Sequence, residues 1–347
     1  MAMKQALQTV ISGGTLSCEE AEQMMGTIMS GGATDAQIAG LLTGLRMRGE
    51  TVEEITGFAR AMRQFSTKVD AGISGLVDTC GTGGDGADTF NISTTASFVA
   101  AAAGVRIAKH GNRSVSSKSG SADVLQALGV NVDLSPEQAA YCLKEIGISF
   151  LFAQLYHQAM KYAIGARKEL GFRTVFNVLG PLTNPAGATR QVIGTFHADL
   201  VYKMAHALAE LGTDHSLVVH GEDGLDEITI TGPTKIAEVR GGRVQRVFTI
   251  TPEEVGLTRA PIEAIKGGDP VQNAAIAREV LSGAPGAPRD IVVINAAATI
   301  YVSGRAASIA EGVRLAQNAI DSGRALQLLQ QLADVTRNMQ MLQKELA

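Results

Sequence analysis

From residue 76 onward, short apolar runs and helical stretches take turns along the chain, and few architectures accept such a pattern. The runs fall at 76–77, 105–108, 148–153, 191–196, 216–219 and 291–294, with helix-like stretches at 96–103, 122–128, 136–146, 199–211 and 274–281 between them. This alternation predicts an α/β domain with a central, mostly parallel sheet flanked by helices. Residues 228–250 depart from it. They alternate about Gly241-Gly242, which suggests antiparallel hairpins at the sheet edge and so a mixed sheet.

The first 70 residues follow a different rule. Ser17 with Glu20, Thr34 with Gln37 and Thr51 with Glu54 have capping-box spacing, each ahead of an apolar face of 3.6-residue period. A small all-helical domain is therefore expected over 1–70, completed by helical segments from about 156–185, with the large α/β domain over 71–347.

Charged residues make up 18% of the chain and the net charge is −4, which argues against a general nucleic-acid binder and leaves any anion site to a local basic cluster. Cys18, Cys80 and Cys142 are too few and too scattered for a disulfide framework or a zinc set. The longest apolar run, residues 96–105, is about half the ~20 residues a membrane helix needs, and the N-terminus carries no apolar signal core. A soluble cytoplasmic protein is expected, with no membrane partner.

Between the first strand and the next helix lies Cys-Gly-Thr-Gly-Gly-Asp-Gly-Ala-Asp-Thr, residues 80–89, followed by Asn91-Ile-Ser-Thr94. Glycines let backbone N–H groups approach an anion, and the following helix offers free N–H groups at its positive end. A plain turn with a helix cap would explain one glycine pair. Four glycines ahead of Asn-x-Ser-Thr point instead to phosphate. Asp85 and Asp88 would repel a bare phosphate, so the ligand should also carry hydroxyls or bring cations, as a phosphorylated sugar with magnesium does. A second loop, Lys109-His-Gly-Asn-Arg-Ser-Val-Ser-Ser-Lys-Ser-Gly-Ser-Ala-Asp123, concentrates three cations and five serines after another strand, with Lys118 the third cation.

With Gly81-Thr-Gly-Gly-Asp85, Asn91–Thr94, Lys109–Arg113, Ser116–Asp123, Arg173–Pro185 and His220–Glu227 in this order, the chain resembles the anthranilate phosphoribosyltransferase family over essentially its whole length. The resemblance implies transfer of the phosphoribosyl group of 5-phosphoribosyl 1-pyrophosphate to the anthranilate amine, within tryptophan biosynthesis, by a homodimer. Carried over by position, Gly81, Gly84, Asp85, Thr89, Asn91, Ile92, Ser93, Thr94, Lys109, His110, Gly111, Asn112, Arg113, Ser114, Val115, Ser116, Ser117 and Ser121 would bind phosphoribosyl pyrophosphate. Gly81, Asn112 and Arg167 would bind anthranilate. Ser93 and Glu227 would hold one Mg2+, and Asp226 with Glu227 a second, the pair lying on an exposed loop. No catalytic residue stands out, because the reaction calls for electrostatics; Lys109, Arg113 and His110 are the candidates. Gln158 stands where the family usually has Pro, and Ser114 where Ala is frequent. Pyrimidine nucleoside phosphorylase, on a similar scaffold, is the competing enzyme, and a non-catalytic binder of phosphate ligands the competing class.

Overall fold

The structure, a computed structural model, describes residues 3–114 and 118–346; the expectations at Val115, Ser116 and Ser117 lie outside the described residues. Four helices open the chain: α1 (Met3–Ile11), α2 (Cys18–Met29), α3 (Asp35–Arg48) and α4 (Val52–Phe65). The three expected capping boxes are formed, with Ser17, Thr34 and Thr51 each accepting from the backbone three residues on while Glu20, Gln37 and Glu54 reach back. Glu54 does more than cap. It is fully buried, accepts from the Leu16 N–H at 2.9 Å and pairs with Arg48, which ties the α1–α2 turn to α4. Gly57 lets α2 and α4 close: a Cβ there would sit 2.1 Å from the Cys18 carbonyl oxygen.

The remaining elements are β1 (Val77–Gly81), α5 (Ile92–Ala102), β2 (Ile107–Gly111), α6 (Ser121–Ala127), α7 (Pro136–Glu145), β3 (Ile148–Phe152), α8 (Ala153–Tyr156), α9 (Lys161–Leu170), α10 (Phe176–Leu179), β4 (Arg190–Gly194), α11 (Ala198–Glu210), β5 (His215–Gly221), β6 (Thr234–Arg240), β7 (Arg243–Ile250), α12 (Pro270–Leu281), α13 (Ala287–Val302), α14 (Ile309–Asp321) and α15 (Arg324–Leu346). The strands form one sheet in the order β3-β2-β1-β4-β5-β6-β7. The first five are mutually parallel, and β6 and β7 complete it as the expected antiparallel pair.

Both faces of the sheet are covered, so neighbouring strand residues enter different cores. Val192, Leu217 and Ile236 face the core built with α5, α13 and α14. Ile193, Val218 and Ala237 face the core shared with α11 and the N-terminal helices. Ala163 and Ala166 of α9, with Phe176 and Leu179 of α10, pack into that second core beside α1–α4.

Residues 291–294 differ from expectation. They are not a strand but the middle of α13, where every residue from Ile291 to Ile300 is at most 1% exposed. A helix buried all round has no polar face, so its period is invisible and the run reads as a buried strand. Gln158 opens a 3-10 turn over Gln158–Met160, closed by the Met160 N–H on the His157 carbonyl at 3.0 Å, so the turn forms without proline. Among the described residues no helix is long and apolar enough to cross a membrane.

At the end of the sheet away from the glycine loop, one carboxylate joins three elements. Glu238 of β6 is met by the His215 ring nitrogen at 2.9 Å, the Tyr301 hydroxyl at 2.6 Å and Arg246 Nε at 2.7 Å. Burial alone would raise its pKa, but the hydrogen bonds from His215, Tyr301 and Arg246 outweigh it and bring it from 4.5 to about 2. A depressed carboxylate contributes stability that is present above its ordinary value and lost as pH falls through the folded one. Glu238→Gln is therefore expected to lower the melting temperature at pH 7, with the gap to wild type shrinking between pH 4.5 and about 2. A gap that stays constant across that window in thermal melts would refute the assignment.

Candidate active site

The strand order reverses at β1: successive connections run outward to β2 and β3 on one side and to β4 and β5 on the other. Ligands in open α/β sheets bind at such a switch point, outside the carboxyl ends of the strands. Gly81 and Gly194, the last residues of β1 and β4, are paired there. The segment after β5 closes over both. A Cβ on Gly194 would lie 1.5 Å from the Asp226 carbonyl oxygen, and one on Gly81 2.2 Å from Asp226 Oδ2.

Asp226 and Glu227 are thus half-buried, not on an exposed loop as expected. Leu225, Ile228 and Ile230 are buried around them, and Asn295 of α13 clamps Ile228 through its N–H at 3.0 Å and its carbonyl at 2.9 Å. Asp226 Oδ2 accepts from the Gly83 N–H at 2.7 Å, and Glu227 Oε1 from the Ser93 N–H at 3.1 Å, at the start of α5. Burial, then the charge of Asp85, pushes the Asp226 pKa up. Burial, then the charge of Asp226, does the same to Glu227, against the pull of Lys109.

The glycine loop is backbone in unusual conformations, with φ of 67° at Gly83, 76° at Gly84, 73° at Gly86 and 50° at Asp88. For Asp88 this left-handed geometry is a cost that the surroundings must hold in place. The Asp88 carbonyl accepts from Gly267 at 2.8 Å, and Thr89 bridges to Lys266. Asn91 is clamped by Ser119 and Asn273, each at 3.0 Å to its Oδ1. Ile92 and Thr94 are each 2% exposed, so their side chains serve the core and their backbone serves the helix start.

Lys109 is buried with its Nζ 2.6 Å from the Thr79 carbonyl and 3.4 Å from Ser93 Oγ, beneath the acidic pair. His110 is buried too. Its N–H donates to Asp78 Oδ1 at 3.0 Å and its Nδ1 lies 3.1 Å from the Gly180 carbonyl. Burial, then the neighbouring His157 ring at 5.0 Å, lowers its pKa to about 3, which leaves the imidazole neutral.

Arg113 is less free than its motif suggests. Its guanidinium is 2.8 Å from Asp123 Oδ1 and 2.7 Å from Gln126 Oε1. Asp123 also accepts from the N–H groups of Ser114 and Gly120, holding both ends of the serine-rich loop. Ser121 Oγ donates to the Asn112 carbonyl at 3.1 Å, and Gly111 has no room for a Cβ, which would fall 2.3 Å from that hydroxyl oxygen.

Arg167, on α9, is half-buried with its guanidinium over the Phe176 ring at 5.0 Å, and burial lowers its pKa. It makes no hydrogen bond to Gly81 or Asn112, so the two halves of the expected anthranilate site are not joined by a hydrogen bond among the described residues. Asp78, Asp123 and Asn273 are site-building residues that the motifs did not single out. Asp123 had a signal, since it closes the serine-rich segment; Asn273 had none, being far away in sequence.

Glu227 feels the charges of Asp226 and Asp85 and, against them, that of the buried Lys109 ammonium. Among the described residues no three His, Cys, Asp or Glu side chains are arranged to hold a metal ion by themselves. This donor set suits magnesium, which takes one or two carboxylates and completes its shell with water and substrate phosphate oxygens.

Two family models match the chain: the glycosyl transferase family helical bundle domain over residues 4–66, and the glycosyl transferase family a/b domain over residues 74–326. An anthranilate phosphoribosyltransferase from Rubrobacter xylanophilus is 55% identical over 338 residues, covering 97% of this chain and 98% of its own. The crystal structure of the anthranilate phosphoribosyltransferase from Thermus thermophilus superposes with a TM-score of 0.91 at 46% identity, over 96% of this chain and 99% of that one. The enzyme of Saccharomyces cerevisiae in complex with PRPP and Mg gives 0.88 at 28% identity, over 97% and 98%. Matched from its N-terminal helices to its last strands and beyond, the chain belongs to the anthranilate phosphoribosyltransferase family.

Proposed function

We propose that this chain joins anthranilate to phosphoribosyl pyrophosphate at the ends of β1, β2 and β4, releasing pyrophosphate, as a cytoplasmic step of tryptophan biosynthesis. The observation that carries this is the convergence of Lys109 and Glu227 on Ser93 at the α5 N-terminus, with the adjacent Asp226 on the Gly83 N–H of the glycine loop. Displacement at the anomeric carbon builds positive charge on the ribose and negative charge on the departing pyrophosphate. The protein contributes mainly by holding those charges and the attacking amine in place.

The glycine loop and the α5 N-terminus offer backbone N–H groups to the phosphates. Lys109, fixed by Thr79 and Ser93, stabilises charge on the leaving group. Ser93, Asp226 and Glu227 would hold two Mg2+ ions, which neutralise the pyrophosphate when bound. His110, neutral and hydrogen-bonded to Gly180, shapes the floor of the site rather than moving a proton. Arg167 and Asn112 receive anthranilate, its carboxylate suiting the guanidinium. The family membership sets aside the phosphorylase alternative.

Incubation with phosphoribosyl pyrophosphate, Mg2+ and anthranilate should quench anthranilate fluorescence with one pyrophosphate released per turnover. Phosphate-dependent cleavage of uridine or thymidine in place of that activity would overturn the assignment. We also infer a homodimer, as the resemblance implies, and note that Ile11 on α1 and Met47 on α3, which pack together, are 68% and 84% exposed. Light scattering should give twice the 36.2 kDa chain mass, and a monomer would sink the inference.

Arg167→Ala is expected to raise KM for anthranilate about ten-fold or more, the scale of a lost charge-assisted hydrogen bond, with little change for phosphoribosyl pyrophosphate. Equal weakening of both substrates would assign Arg167 a structural role through Phe176.

Replacing Asp226 and Glu227 together with Ala should abolish most turnover and shift the remaining magnesium dependence to much higher concentration. Calorimetric titration of Mg2+ in the presence of phosphoribosyl pyrophosphate should lose its signal in the same variant. An unchanged magnesium dependence would leave the two carboxylates with the role of bracing Gly83 and Ser93 alone.

A further inference from the structure

Two cations grip the glycine loop from outside, and neither has a part in the transfer described above. Arg173, between α9 and α10, stacks on the Phe196 ring at 4.5 Å and donates to the Gly84 carbonyl. Phe196 is itself fixed, its N–H donating to Thr82 Oγ1 at 3.1 Å. Lys266, following the 3-10 turn Ile262–Ile265, donates from Nζ to the Ala87 carbonyl at 2.5 Å.

In a planar trans peptide the C=O and N–H point in opposite directions, and no peptide in this chain is cis among the described residues. Holding the Gly84 and Ala87 carbonyls therefore aims the next N–H groups, those of Asp85 and Asp88, away from Arg173 and Lys266. Gly83 spends its N–H on Asp226 and Ala87 on Asp85 Oδ1. No described residue accepts from the N–H of Gly84, Asp85, Gly86 or Asp88. A phosphate cradle needs this arrangement, with carbonyls turned out and N–H groups turned in. Without an external hold, a loop with Gly83, Gly84, Gly86 and Asp88 all at positive φ would be free to flip its peptides and present carbonyl oxygens to the anion.

We propose that Arg173 and Lys266 are positioning residues that set the peptide orientation of the glycine loop for the pyrophosphate-bearing sugar. Arg173 also links that loop to the segment carrying Arg167 and α9, so the donor cradle and the acceptor-binding helix are joined through one guanidinium. This role presupposes the transfer reaction proposed above.

Arg173→Ala and Lys266→Ala test it, and both side chains are exposed, so neither substitution empties the core. Arg173→Ala should raise KM for phosphoribosyl pyrophosphate about ten-fold and weaken its calorimetric binding to match, while KM for anthranilate stays within about two-fold. Lys266→Ala should act in the same direction, less strongly. Arg173→Lys should recover part of the loss, because one cationic donor still faces the Gly84 carbonyl. Melting temperatures should stay at the wild-type value. A donor KM that does not move in Arg173→Ala, or a parallel rise for both substrates, would overturn the proposal. If the wild-type protein itself leaves anthranilate unconsumed, the transfer reaction falls instead, whatever the variants do.

Discussion

The closeness with which the acidic segment after β5 approaches the ends of β1 and β4 is the constraint on which the site depends. Gly194 and Gly81 have no side chain, and the space a Cβ would take is filled by the Asp226 backbone and carboxylate. That approach brings Asp226 to the Gly83 N–H and Glu227 to the first turn of α5. Two carboxylates drawn this far out of water repel each other and Asp85, and one buried lysine does not neutralise them. Carboxylates held in this way suit cations and, through them, the polyanionic substrate proposed for the site.

What keeps the segment there is packing behind it. Leu225, Ile228 and Ile230 are fully buried, and Asn295 spends its side chain on both polar groups of Ile228 from the buried middle of α13. A buried amide left unpaired would cost about 1–3 kcal/mol, so α13 is locked in register with the site it supports. The helical unit makes a parallel contribution from the opposite face of the sheet. Its core takes in Ile193 and Val218, whose neighbours Val192 and Leu217 belong to the other core. The glycine loop sits on one layer and Arg167 on another, and Arg173 reaches from the segment after α9 to the loop.

Much of the architecture was legible along the chain. Capping boxes marked the N-terminal helices because their partners are three residues apart, and the Gly241-Gly242 turn marked the β6–β7 hairpin because its partners are adjacent. The glycine loop and the Lys109–Asp123 segment announced themselves by composition. The strand expected at 291–294 failed for a physical reason: α13 is enclosed on all sides, so burial erased the periodicity that would have named it a helix.

The sequence by itself determined the fold class, the strand-end loops and the residue types that suit a phosphorylated sugar with magnesium, since each depends on local propensity or on motifs read in order. Tertiary structure decided which groups are free to use that chemistry. It placed Asp226 and Glu227 inside the cleft rather than on an exposed loop, committed Arg113 to Asp123, and made His110 a neutral, buried ring. It also recruited Asn273 and Lys266 from some 180 residues away to fix Asn91 and the glycine loop. Charge, burial and hydrogen bonding between distant segments set those outcomes, and they exist only once the sheet has brought its strand ends together.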